Sequence, residues 1–225
     1  MTGEAFTLYE RPELKEPYLV AGFTGWLDGG EASTSTLKYL IRKLGATKLG
    51  EIPSKGFAVF QLPGLELLRP KVKIEDGVVG TLQFPTNELF YRKGQEGLLA
   101  HDLILLSGVE PNQSWHSYAS IVLDLAQQFG VKRVISVGGV LGGVPHTKEP
   151  TVSCTISDAH LKAEMGTYAV RFSNYEGPST FNAMLVAMCR ERSLEAIQLT
   201  GRAIFYPDFN IVVKRDARAM YAILV

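Results

Sequence analysis

The chain has 225 residues, 46% of them hydrophobic, and its 23 acidic and 23 basic side chains cancel to a formal net charge of zero. That length is enough to bury a full core, and a neutral balance offers no field to draw the protein to nucleic acid or to an anionic membrane, so neither is expected as a partner. Two cysteines, Cys154 and Cys189, stand without C-x-x-C spacing and with no secretory leader or long apolar span before them, which predicts buried thiols in a reducing, cytoplasmic setting.

The first strong element is "PYLVAGFT" (17–24), apolar on both faces as a strand buried in a parallel sheet must be. Leu37, Leu40, Ile41 and Leu44 follow at helical spacing. From 48 to 92 the pattern changes to short β-prone pieces broken by Pro53, Pro63, Pro70 and Pro85, with a turn at "EDG" (75–77); this reads as an antiparallel excursion. "HDLILLSGV" (101–109) and "VKRVISVGGV" (131–140) are two more buried strands. Between them 113–129 forms a helix that turns Ile121, Val122, Leu125 and Phe129 to the sheet and ends at Gly130. "TVSCTI" (151–156) is extended, and Phe181, Met184, Leu185 and Met188 mark a later helix. The chain closes on an apolar, helix-like run. The sum is a three-layer α/β fold on a mainly parallel mixed sheet, centred on the runs at 18–23, 102–107 and 132–138, with helices on both faces and the antiparallel excursion at about 48–92. No repeat, low-complexity tract or linker divides it, so 1–225 is expected to be a single domain.

Ligands of an open parallel sheet collect beyond the carboxyl ends of its strands, where four loops qualify here: 22–33, 107–115, 138–150 and 174–180. Gly22, Gly25, Gly29 and Gly30 lack the G-x-G-x-x-G spacing of a dinucleotide loop, and Asp28 and Glu31 at the helix start would repel a phosphate. The two acids fit a capping-box-like pair, while Trp26 either packs in a core or lines a pocket mouth. "GGVLGGVPHTKEP" (138–150) is not a phosphate loop either, because Val144-Pro145 stands where a G-K-[ST] helix start is needed. Its Gly139 and Gly142 are read as positions of close approach or positive φ that bring His146 to the rim of a sheet-end cleft. His101, His116 and His160 share no metal-ligand spacing with other titratable groups and read as structural. In "GPST" (177–180), Pro178 is expected in a helix's first turn, with Ser179 and Thr180 as caps. No G-x-S-x-G, S-x-x-K or H-E-x-x-H occurs, so no catalytic residue is named and no cofactor is expected.

A parallel sheet would gather Asp28, Glu110, Glu176 and His146 at one end, making them, with Trp26, the ligand-binding candidates beside loop glycines Gly25, Gly139 and Gly142. Three acids and an imidazole could hold a divalent metal, although the spacing selects no ion. The alternative is that Asp28 caps its helix, Glu110 and Glu176 face water, and His146 bonds to backbone.

Five motifs then occur in one order: "GWLDGGEAS", "RP" at 69–70, "SGVEPNQSW", "GGVLGGVPHT" and "YEGPST". In that order they resemble the proteasome assembly chaperone family, second-subunit type, in its bacterial and archaeal branch. The resemblance spans about residues 17–213. It implies a phosphorylase/hydrolase-like α/β domain, frequent homo-oligomers and, from the eukaryotic members, a partner in proteasome assembly. Two function classes follow: a non-enzymatic, homo-oligomeric chaperone-like interaction protein, or an enzyme or small-molecule or metal binder of the nucleoside phosphorylase/hydrolase-like class using the cleft at the sheet's carboxyl end.

Overall fold

The computed structural model describes residues 6–59, 69–96, 99–143, 145–172, 174–206, 211–212 and 214–224. In chain order its strands are β1 (Thr7–Leu8), β2 (Tyr18–Thr24), β3 (Thr47–Pro53), β4 (Lys71–Glu75), β5 (Val78–Gln83), β6 (Thr86–Arg92), β7 (Leu103–Val109), β8 (Arg133–Gly142), β9 (Val152–Ile156), β10 (Val170–Phe172), β11 (Glu195–Tyr206) and β12 (Ile211–Val212). The helices are α1 (Ala32–Leu44), α2 (Trp115–Gln128), α3 (Leu161–Met165), α4 (Phe181–Glu191) and α5 (Ala217–Leu224).

Ten strands make one sheet in the order β1-β3-β6-β7-β2-β8-β11-β9-β10, with β12 paired to β11. Its centre, β7-β2-β8-β11, is parallel throughout. The flanks β1, β3 and β6 on one side and β9 on the other run antiparallel to their inner neighbours. The three apolar runs expected at the centre are therefore β7, β2 and β8. The excursion is antiparallel as expected, and β3 and β6 join the main sheet. β4 and β5 instead form a ribbon of their own; Pro63 lies outside the described residues.

Alternation along β2 sorts the two layers. Leu19, Ala21 and Phe23 point toward α2 and α4, where Phe23 meets the rings of Phe181 and Tyr118 at centroid distances of 5.2 and 6.2 Å. Val20 points the other way, into a cluster with Leu37 of α1, Leu105 and Val137. Leu105 is fully buried, but Ile135 is only half-buried. Cys154 and Cys189 are buried free thiols, each pushed up by burial, to about 11 and about 12. The closing apolar run contains α5, which packs beside α1 around Ala32, Ala203 and Ala219.

Two local expectations change. β8 runs on to Gly142, paired with β11 as far as Ile204, so most of the glycine run is strand rather than loop; Val144 is outside the described residues. Pro178 precedes α4 instead of sitting in its first turn. Thr180 is the N-cap, and its hydroxyl accepts the Ala183 N–H at 3.2 Å. Among the described residues no helix is long and apolar enough to cross a membrane.

Candidate functional site

The carboxyl end of the central strands is held together mainly through backbone. Past β2 the chain runs against the loop after β7: Glu110 donates its N–H to the Thr24 carbonyl at 2.9 Å, and its buried carboxylate accepts the Trp26 N–H at 2.5 Å. Gly25 is required there, because a Cβ would sit 2.5 Å from Glu110 Cβ. The Trp26 side chain, freed of any packing duty, is 84% exposed. Two residues on, the loop bridges to β8: the Gly139 N–H donates to the Leu27 carbonyl at 2.8 Å, and Asp28 pairs with Gly139 as one more parallel step. A Cβ on Gly139 would overlap the Gly29 carbonyl oxygen and lie 2.8 Å from Ala32 Cβ. Gly139 is thus a site of close approach. Gly142 is neither that nor a positive-φ residue, for its Cβ would make only ordinary contact with Arg202.

Asp28 does cap α1, but not as half of a box. A 3-10 turn at Gly29–Glu31 intervenes, so the Asp28 carboxylate reaches six residues ahead and accepts both the N–H (3.1 Å) and the hydroxyl (2.8 Å) of Thr34. Burial raises its pKa, and the bonds from Thr34 only partly oppose this. Glu31 turns away to the Arg215 guanidinium at 2.8 Å. Beneath, the buried Ser33 hydroxyl accepts the Phe23 N–H and donates to the Val137 carbonyl, tying β2, α1 and β8 together. A carboxylate already satisfies the α1 N-terminus where a phosphate would bind.

His146 and Glu176 lie elsewhere. The His146 ring faces the Tyr206 hydroxyl at the end of β11, and the His146 backbone N–H donates to the same oxygen at 3.0 Å. From α5, Arg218 donates to the carbonyls of His146 and Lys148. Glu176 stands exposed in the segment between β10 and α4. Asp28, Glu110, His146 and Glu176 therefore do not assemble as metal ligands, and among the described residues no three His, Cys, Asp or Glu side chains do.

The amino end of the same strands carries a charge network that residue spacing does not announce. Arg133, almost buried at the start of β8, forks onto both oxygens of Glu164 (2.6 and 2.9 Å) and onto Glu195 (2.6 and 2.8 Å), its register partner on β11. Its guanidinium also lies 5.3 Å from the Tyr18 ring, which stacks on His101. His160 continues the chain, with Nε2 at 3.0 Å from Glu195 and Nδ1 at 2.8 Å from Asp158. Both ring nitrogens facing carboxylates is the pattern of an imidazolium, since neutral histidine has one donor. The bonds to Glu195 and Asp158 accordingly raise the His160 pKa. Burial pushes the Glu195 carboxyl up, yet the bonds from His160 and Arg133 together outweigh it and hold the pKa below its ordinary value. The sequence signal for this cluster was a charged residue opening an otherwise apolar strand.

Fold and junction define a class: an α/β protein with a parallel-centred sheet whose strand-end loops are stitched to one another. The chain belongs to the PAC2 family, whose model matches residues 22–224. Among solved structures it resembles a PAC2 family protein from Streptomyces avermitilis at 28% identity, covering 92% of this chain and 83% of that one with a TM-score of 0.78. A proteasome-assembly chaperone homologue from Mycobacterium tuberculosis shares the fold at 24% identity, with 92% and 82% coverage and a TM-score of 0.78. So does PbaB, an archaeal proteasome activator from Pyrococcus furiosus, at 23% identity, 97% and 85% coverage and a TM-score of 0.72. No curated protein matches the chain significantly.

Proposed function

We propose that this chain is a cytoplasmic, homo-oligomeric, chaperone-like protein that binds subunits of a proteasome-type assembly through the carboxyl end of its central strands. The observation that carries this reading is the division of labour among the loops there. The acids that could have done chemistry, Asp28 and Glu110, are engaged by Thr34 and by the Trp26 N–H, while Trp26 and, at the end of β8, Leu141 are exposed. An exposed aromatic side chain on a loop fixed to a rigid sheet suits protein docking, because little rotamer entropy is lost on contact. PAC2 membership and the proteasome-related neighbours support the partner class.

The test is to follow ring assembly of purified proteasome α-type subunits on native gels with and without the protein. Wild type should speed assembly, and Trp26→Ala with Leu141→Ala should remove most of the effect without changing the urea midpoint. Identical assembly rates with and without wild type would overturn the reading.

A further inference from the structure

The charge network at the amino end meets the shortest α-helix of the fold. α3 has five residues, barely more than one turn, too few to hold together without packing or side-chain anchors. Its apolar pair, Leu161 and Met165, stands at i, i+4 and is buried with Cys154 of β9 and Ile197 of β11, while Lys162, Ala163 and Glu164 are exposed. The strand that follows, β10, has three residues at the edge of the sheet, and Arg171 and Phe172 on it are exposed. Before α3 the chain is fixed: Ser157 donates its N–H to the Ala196 carbonyl at 2.9 Å, and its buried hydroxyl accepts the Ala196 N–H at 2.8 Å. Past that anchor, among the described residues, the polar bonds that tie the helix to β8 and β11 are ionic, Glu164 to Arg133 and His160 to Glu195.

We propose that α3 is a cover over Cys154, hinged after Ser157 and latched by these two ties, which opens locally when the His160 imidazole loses its proton or when salt screens the Arg133–Glu164 pair. His160 faces a carboxylate at each ring nitrogen, Asp158 of its own segment and Glu195 of β11. Arg190 of α4 acts on Asp158, and Arg133 of β8 joins Glu195 to Glu164 of α3. A neutral ring has one N–H and turns a lone pair toward one of the two carboxylates, so deprotonation replaces a bond by a repulsion. Because those carboxylates raise the ring's pKa, the tie is complete below the ordinary imidazole value and is lost as pH rises through the folded one. The other tie does not titrate near neutrality, but Glu164 is open to counterions and weakens with salt at any pH. Closed, the Cys154 thiol is buried and protonated and hence inert. Cys189 lies in the opposite layer, inside the main core, and stays shielded until the whole fold opens.

The two thiols make the test. Labelling by methyl methanethiosulfonate is followed at each cysteine by mass spectrometry in wild type, His160→Gln and Glu164→Gln. In wild type Cys154 should label much faster than Cys189, the mark of a local opening. Comparing His160→Gln with wild type at one pH cancels the intrinsic reactivity of the thiol. The variant should label Cys154 about threefold faster at about pH 6, the effect of one partly exposed ion pair, and the two rates should merge at about pH 9. Added salt should speed Cys154 in wild type and much less in Glu164→Gln, which starts faster. Equal rates at the two cysteines of wild type would mean that Cys154 is reached only by global unfolding, and the cover would be discarded. A ratio between His160→Gln and wild type that stays constant with pH would discard the histidine latch, and an unaltered salt response in Glu164→Gln would discard the other.

Discussion

The two ends of the parallel centre use charge in opposite ways. At the carboxyl end the two acids each accept a backbone N–H: buried Glu110 fixes the loop after β2 and half-buried Asp28 fixes the start of α1. At the amino end the charges answer one another, Arg133 between Glu164 and Glu195, and Glu195 against His160. The first arrangement determines where the chain goes, and the second joins elements whose course is already set. Carboxylates taken for a ligand site can be local scaffolding, while the groups free to respond to pH and salt sit where no loop drew attention.

The largest expected effect tests the stitched end. Gly139→Val forces side chain into the Gly29 carbonyl and should cost about 3 kcal/mol in urea unfolding, whereas Gly142→Val, three residues along the same strand, should stay within about 0.5 kcal/mol. Equal midpoints for the two variants would dissolve the idea of a close-packed junction. At the other end, Arg133→Met leaves two carboxylates facing each other. Because the Glu164 and Glu195 side chains are 45% and 37% exposed, solvent screens part of the penalty, and about 1–3 kcal/mol is expected. That loss should shrink in high salt.

pH separates the ends without any change in packing. His160, raised in the folded state, contributes stability that is complete below its unfolded value of about 6.5 and fades as pH rises through the folded one. Glu195, lowered, contributes above its unfolded value and loses this as pH falls. Asp28, raised by burial, follows the histidine's direction at acid pH: its contribution is present below the ordinary carboxylate range and declines as pH rises through the raised value. His160→Gln should therefore be less stable than wild type near pH 6 and converge with it in alkali, while the deficit of Asp28→Asn should narrow from acid toward neutrality. Deficits that do not vary with pH would show that neither group titrates with folding.

The centre of the sheet was legible because strands buried on both faces must be apolar throughout, and β2, β7 and β8 are. Helices α1, α2 and α4 showed their stripes for the same reason. The end of β8 was misread because glycines there signal a loop by composition, whereas close approach of the chain after β2 is what requires Gly139. Asp28 was recognisable as a cap, but its true partner, Thr34, was hidden by an intervening 3-10 turn that shifts the reach by a few residues. The expectation that four polar groups converge followed strand polarity alone. It missed that His146 is drawn aside by Tyr206 and Arg218. Arg133, Glu164, His160 and Glu195 meet through the pairing of β11 with β8 on one side and with β9 on the other, and the first of these joins segments some sixty residues apart that no local pattern encodes.

That pairing also sets a schedule for biosynthesis. In the sheet β11 separates β8 from β9, but a ribosome makes β9 and β10 first. From the emergence of Phe172 to that of Glu195, roughly one to five seconds at about 5–20 residues per second, β8 has one long edge without its native neighbour. The segment nearest to hand is β9, which could lie antiparallel along that edge as an ordinary hairpin. Such a pairing occupies the seat of β11 and must dissolve before the sheet can close. The strand made late is thus the one on which correct order depends, and an unfilled β8 edge is the point in the nascent chain most exposed to a wrong partner.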